Sequence, residues 1–199
     1  MANTPYSFVS VKKKSDNAGR PTGKAAYILL FNWDDVKTYV RDAKGVKMAE
    51  FAFQTGKKPI GIYRTPSTEN VFNTSTGEED GRGYIHNVDF DVPGTDLEVD
   101  EFFENNINKR LGAISLPCNG DARIAGTPDN PLFITQDNTE DSSKKHGHTV
   151  QMKSSLPGAI LGYISKLLIP VTDNVDVNAI LGLPASGSTG GGIYKLIEK

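Results

Sequence analysis

The sequence is almost free of cysteine, since Cys118 is the only one among 199 residues. No disulfide can form within one chain, and a reducing compartment is the simplest setting for such a protein. We expect Cys118 to be a partly buried structural thiol, because no histidine partner for a nucleophile is evident. The formal net charge is only −2, so the composition favours neither nucleic acid nor an anionic membrane as a partner.

Long apolar runs are missing as well. The most apolar stretch, residues 159–171, is shorter than the roughly 20 residues that a membrane helix needs, and it contains Lys166. We therefore expect no membrane span, and no signal peptide, because the first residues lack an apolar core. Hydrophobic residues make up 37% of the chain, against 20 glycines and 11 prolines. This composition predicts many short strands joined by polar turns.

Alternating and continuously apolar segments predict a mainly β protein. Residues 84–92 alternate most clearly, with His86, Val88 and Phe90 on one face. Residues 24–31 are apolar enough to form a strand that is buried on both faces. Residues 46–54 and 60–64 are expected to form a hairpin. Further strands are predicted at residues 6–11, 111–118, 123–125, 132–136, 148–154 and 159–169, with weaker ones at 175–181 and 193–197.

One helix is predicted, over residues 95–110. Thr95 followed by Glu98 has the spacing of a capping box. Acidic residues occupy the first turns and two basic residues the last, which matches the helix dipole at both ends. The residues that form an apolar face at helical spacing are Val99, Phe102, Phe103 and Ile107.

The predicted fold is a single domain over residues 1–199, mainly β (α+β): an antiparallel β-sandwich or barrel with one flanking α-helix. Asn32 is expected to cap a short helix or turn that follows it. Residues 1–20 are predicted to be a flexible N-terminal arm. Residues 66–83 are predicted to be a long polar loop between subunits, with Val71 and Phe72 as its apolar anchors, because a loop of this length is usually functional or disordered.

No arrangement of residues predicts catalysis. His146 and His148 lie two apart, which on a strand places them on one face, and His86 is a conceivable third metal ligand. A solvated loop is the simpler interpretation, because His146 follows two lysines in a polar segment. The glycine run at 187–192 lacks the context of a phosphate loop. We therefore expect a protein that is not an enzyme and that holds no cofactor or metal.

The central part of the chain resembles a known fold. The strand GYIHNVDFDVPG at residues 83–94, the helix after it and the strand that begins LGAI at 111–114 resemble the central strand–helix–strand of the tail-tube fold. Major tail proteins of tailed phages and the tube protein of type VI secretion have this fold. Residues 60–68, residues 126–132 and the opening strand are similar to phage structural proteins of the gut Bacteroidales type.

The resemblance implies a structural virion protein that assembles with copies of itself. It implies hexameric rings stacked into a tail tube, other tail proteins as partners, and DNA only in passage through the lumen. It places the protein in the virion tail, after assembly in the cytoplasm of a bacterial host. The residues that we expect to contact a neighbouring subunit are Tyr6, Phe8, Lys12, Lys13, Lys14, Arg20, Val71, Phe72, Asp89, Asp91, Glu98 and Glu101.

Three alternatives stay open at this point. Another virion role, either capsid decoration or head–tail joining, has the same sequence features and differs in whether rings stack. A carbohydrate-binding β-sandwich requires Trp33 and tyrosines exposed along a groove. A small hydrolase is disfavoured because no catalytic arrangement is evident.

Overall fold

A computed structural model describes residues 10–13, 15–16 and 19–183. These residues form eleven strands, two α-helices and two short 3-10 turns. The strands are β1 (Lys24–Asn32), β2 (Val36–Arg41), β3 (Met48–Phe53), β4 (Ile60–Tyr63), β5 (Asn70–Thr76), β6 (Gly83–Pro93), β7 (Leu111–Pro117), β8 (Ala122–Ala125), β9 (Leu132–Asp141), β10 (His146–Ser154) and β11 (Gly162–Ile164). The helices are α1 (Leu97–Asn106) and α2 (Val175–Leu181), and the 3-10 turns are Trp33–Asp35 and Lys166–Leu168.

Nine strands form one antiparallel sheet that bends into two packed layers. The first layer has the order β11-β8-β7-β1-β4, and the second has the order β9-β10-β6-β5. The layers are continuous only where Leu111 of β7 pairs with Leu132 of β9. Residues such as Ile28, Val88 and Val150 from both layers pack into one core, and α1 contributes Phe103 to it. The prediction of a mainly β, sandwich-like α+β fold is confirmed.

A third layer covers the other face of the first. The β2–β3 hairpin and α2 pack there against a second core that includes Phe31, Ile114 and Ile124. Every residue of β7 is therefore buried. The prediction that residues 24–31 form a strand buried on both faces holds for most of β1. One face packs in the core between the layers, and the other is covered by the β2–β3 hairpin and α2, which come later in the chain.

α1 is shorter than predicted and is capped differently. It begins after Asp96, and no side chain caps its first turn. Thr95 Oγ1 instead lies 3.2 Å from His146 Nε2, so the predicted capping box is wrong. Phe103 is buried as predicted, whereas Phe102 is only half-buried.

The chain leaves the helix before residue 110 because it must return to the first layer. The Trp33 amide donates a 2.8 Å hydrogen bond to the Arg110 carbonyl, which fixes the start of β7 beside the end of β1. Ile107 therefore lies beyond the helix and is 45% exposed.

α2 was not predicted, since residues 175–181 were expected to form a weak strand. The Asn174 side chain accepts hydrogen bonds from the amides of Asp176 and Val177, and Gly182 ends the helix with φ of 70°. Val177 and Leu181 lie four residues apart, so both reach the second core. The prediction of a single flanking helix is therefore wrong. The predicted strand at 159–169 is reduced to β11, and its later part forms a 3-10 turn.

The predicted hairpin between residues 46–54 and 60–64 is also wrong. β3 pairs with β2, and β4 pairs with β1. The Asp42 carboxylate accepts hydrogen bonds from the amides of Val46 and Lys47 and so closes the β2–β3 turn. Gly61 lets α2 approach β4, because a Cβ at this position would clash with the Val177 side chain.

Residues 66–83 are not one long loop. They contain β5, which pairs with β6 in the register Val71–Val88. β5 was not predicted as a strand because most of its side chains are polar. Val71 makes its apolar contact with the core. β9 and β10 likewise extend into the polar segment around His146, for which a solvated loop was the simpler interpretation, and only residues 142–145 separate the two strands. The contact of residues 66–83 with a neighbouring subunit stays a prediction.

Candidate assembly surface

The second layer is open at both of its edges. Within the part of the chain that the structure describes, β5 pairs only with β6, and β9 beyond Leu132 pairs only with β10. The outer part of β9, from Gln136 to Asp141, is largely exposed. Unpaired edges of this kind present backbone N–H and C=O groups to any strand that aligns with them. The edge of β11, by contrast, is partly covered, because the Tyr163 amide donates to the Val46 carbonyl.

The two predicted anchors in β5 have different positions. Val71 is half-buried and packs against the core between the layers. Phe72 faces the other way and is 38% exposed. Phe72 is therefore the apolar side chain of β5 that is available to a partner, while Val71 holds the strand on its own subunit.

A buried ion pair holds the crossing from β4 to β5. The Arg64 and Glu69 side chains contact each other and are both fully buried. Arg64 Nε and Nη1 and Glu69 Oε1 have no hydrogen-bond partner in the described structure. Burial lowers the pKa of Arg64 although Glu69 opposes this. Removing one member of such a pair leaves an uncompensated buried charge, so the pair fixes where β5 begins.

A groove runs along the free edge of β4, between this strand and α1. One part has a volume of about 410 Å³ and is lined by Gly61, Ile62 and Tyr63 of β4 together with Val99 and other residues of α1. Gly61 has no side chain, so it borders this part of the groove with its backbone. A second part of about 320 Å³ lies at the Ile60 end of the strand, where residues of β1 and the start of β7 also line it. Phe102 lines both parts, and we call them together the β4 groove.

The helix beside the β4 groove is acidic. The ten residues of α1 include four carboxylates and no basic residue. Glu98 lines the groove together with Asp96, which precedes the helix. Glu98 and Glu101 are exposed, as a contact with a basic partner requires.

The other two acidic contact candidates are less available. Asp89 and Asp91 are half-buried within β6. Asp91 lies 3.3 Å from the Lys145 ammonium, and burial raises the pKa of Asp89. The predicted acidic set therefore divides into an exposed part on α1 and a part already engaged in the second layer.

The basic arm extends into solvent where it is described. Lys12, Lys13 and Arg20 are exposed, and Val11 is 97% exposed. The ammonium of Lys13 reaches only Asp16, which is itself exposed. Three further contact candidates lie outside the described residues, and they are Tyr6, Phe8 and Lys14.

The three histidines serve separate contacts. His86 Nδ1 accepts from the Gly126 amide and Nε2 lies 2.7 Å from the Ala159 carbonyl, and burial lowers its pKa. His148 lies between two carboxylates, with Nδ1 2.9 Å from Asp137 and Nε2 2.9 Å from Asp100.

The contacts of His148 attach α1 to β10, where its ring also packs against Phe103. His146 pairs with Asp141 and Thr95. Among the described residues no three potential ligands come together to hold a metal.

Of two other side chains, Cys118 differs from expectation, and Trp33 does not support the carbohydrate alternative. Trp33 is 4% exposed and packs edge-to-face against Phe31 and Tyr39, so it cannot form the platform that a carbohydrate site requires. Cys118 is exposed rather than partly buried.

Comparison of the chain with family models, with curated proteins and with solved structures finds no match. None of the described helices is long and apolar enough to cross a bilayer. The β4 groove was missed by sequence reasoning, although the alternation of Ile60 and Ile62 around Gly61 was a weak signal of a half-buried edge strand.

Proposed function

We propose that the protein is a structural virion protein that assembles with copies of itself into stacked rings, forming a phage tail tube through which DNA passes. The observation that carries the proposal is the four-stranded layer β9-β10-β6-β5, whose two edges are open among the residues that the structure describes. Other tail proteins are its expected partners, and the virion tail is its expected location.

The direction of the strands supports ring formation. All neighbours in this layer are antiparallel, so β5 runs opposite to β9. When a second copy is placed beside the first in the same orientation, its β9 lies antiparallel to β5 of the first. Repeating this head-to-tail contact either closes a ring or continues as a filament. Antiparallel pairing is therefore preserved around a ring of any number of copies.

The experiment is negative-stain microscopy and light scattering of the concentrated full-length protein. We expect rings and tubes. Single rings that never stack would favour capsid decoration or head–tail joining. A protein that stays monomeric at millimolar concentration, with no rings in the images, would contradict the proposal.

A variant tests the edge directly. Phe72→Asp places a charge on the exposed face of β5 and should greatly reduce assembly, because burying an unpaired carboxylate is unfavourable. Leu167→Asp is the matched control, since Leu167 is 89% exposed in a 3-10 turn away from both edges. Equal assembly of the two variants would count against β5 as a contact.

A further inference from the structure

We infer that the β4 groove binds residues 6–11 of a neighbouring copy as an added strand. This inference rests on the proposed self-assembly and names a second contact, distinct from the β5–β9 edge. The acceptor is a strand of four residues that pairs only with β1 in the described structure. Addition of an extended segment to a free strand edge is a common mode of peptide recognition, in which backbone hydrogen bonds give affinity and pockets read alternate side chains.

The groove has the shape and polarity for alternate aromatic side chains. Its apolar floor is formed by Ile62, Val99 and Phe102, which also contact the core. The two parts of the groove, of about 410 and 320 Å³, meet at Phe102. Side chains two residues apart on a strand lie on one face and are roughly 6.6 Å apart, so two adjoining pockets fit such a pair.

The arm carries the matching pattern. Residues 6–11 read YSFVSV, which places Tyr6 and Phe8 on one face of an extended segment. Lys12, Lys13 and Lys14 follow directly. The apolar residues of the arm therefore match the apolar floor of the groove, and its lysines match Asp96 and Glu98, which also line the groove.

Charge also favours one orientation. Asp96 and Glu98 line the part of the groove at Tyr63. Lys58 and Asp35 line the part at Ile60, and the Asp35 carboxylate is already paired with Lys57 at 3.0 Å. Placing the lysines of the arm beside the carboxylates and away from Lys58 makes the added strand run parallel to β4.

The donor is inferred to be a neighbour because the described part of the arm lies in solvent. Each described residue among 10–20 is exposed. Val11, the last residue of the proposed strand, is 97% exposed. A segment that extends into solvent is positioned to reach another copy.

The first experiment measures binding of a fluorescent peptide of residues 1–14 to the full-length protein, below the concentration of assembly. We expect saturable binding that weakens by at least about tenfold when Phe8 of the peptide is replaced by Ala. Val9→Ala in the peptide is the matched control, since this residue lies on the opposite face, and should bind nearly as well. Absence of saturable binding, or equal loss for both peptides, would overturn the inference.

The second experiment identifies the acceptor and the donor subunit. In a Cys118→Ser background, one protein carries Phe8→Cys, and a second, size-tagged protein carries Ile62→Cys. On mixing and oxidation we expect a disulfide between the two proteins. A tagged Leu167→Cys protein is the control acceptor and should give little product.

The possible outcomes separate the two proposals. Rings that form without the Phe8–Ile62 cross-link would overturn the groove contact and leave the tube proposal standing. A disulfide that forms only within one chain carrying both cysteines would mean that each subunit binds its own arm, which also overturns the inference. Peptide binding and cross-linking without rings would contradict the tube proposal alone.

Discussion

The central strand β7 and the edge strand β5 are held in opposite ways. All seven residues of β7 are buried, and strands pair with it on both sides. β5 has the same length but pairs on one side, and most of its residues are exposed. The difference separates the part of the protein that provides its stability from the part that binds another copy under the proposed function.

The Arg64–Glu69 ion pair is fully buried, although it lies directly before the largely exposed strand β5. Glu69→Gln should lower the free energy of unfolding by about 3–5 kcal/mol, because Arg64 is left charged and buried without its partner. Chemical denaturation monitored by circular dichroism measures the change. The double variant Arg64→Met with Glu69→Leu is the control and should recover most of the loss. A loss below 1 kcal/mol for Glu69→Gln would show that the start of β5 is not fixed by this pair.

Truncation at the centre should destabilise more than truncation at the edge. Ile114→Ala in β7 should lower the free energy of unfolding by about 2–5 kcal/mol, since Ile114 is fully buried in the second core. Val71→Ala in β5 should lower it by about 1 kcal/mol, because Val71 is half-buried. Denaturant midpoints of the two variants give the comparison. Equal losses would contradict the separation.

The two helices should differ in their dependence on a cap. Asn174→Ala should lower the free energy of unfolding by about 1 kcal/mol, since its side chain accepts from two amides of α2. Thr95→Ala should have a smaller effect, about 0.5 kcal/mol or less, because Thr95 contacts His146 and does not cap α1. Thermal unfolding of the pair is the measurement. A larger loss of unfolding free energy for Thr95→Ala than for Asn174→Ala would support the predicted capping box at Thr95.

The smallest effect concerns pH. Burial lowers the pKa of His86 below its ordinary value, so the unfolded chain binds more protons here than the folded chain. The contribution of His86 is therefore present above its unfolded pKa of about 6.5 and is lost as pH falls toward its folded pKa. Unfolding of the native protein and of His86→Gln between pH 7.5 and 5.5 should show a shallower pH dependence in the variant. Equal slopes would mean that His86 is not held neutral.

Sequence reasoning succeeded where one strand or helix contains its own signal. β6 alternates and β7 is continuously apolar, so both were predicted nearly to their ends. β5 was missed because its side chains are polar and a long-range pairing with β6 fixes it. α2 was missed because seven residues carry a weak helical period, and its capping residue lies in a segment that reads as turn chemistry.

In the candidate assembly surface, too, individual residues were identified from the sequence, whereas the strand pairing that builds the surface was not. Lys12, Lys13, Glu98 and Glu101 were predicted as contacts with a neighbouring subunit; all four are exposed in the structure, and the contacts stay a prediction. The pairing of β4 with β1, which creates the β4 groove, depends on residues roughly 30 positions apart, and no local pattern specifies it. The open edges of the second layer likewise follow from which strands pair.

Hydrogen exchange of free and assembled protein is the most direct test of the central claim, that copies pair through β5 and β9. We predict that assembly slows exchange of backbone amides in residues 70–76 and 136–141. Amides of β7 should exchange slowly and at the same rate in both states, because their partners lie within one subunit. Assembled protein in which residues 70–76 and 136–141 exchange as fast as in the free subunit would contradict the account.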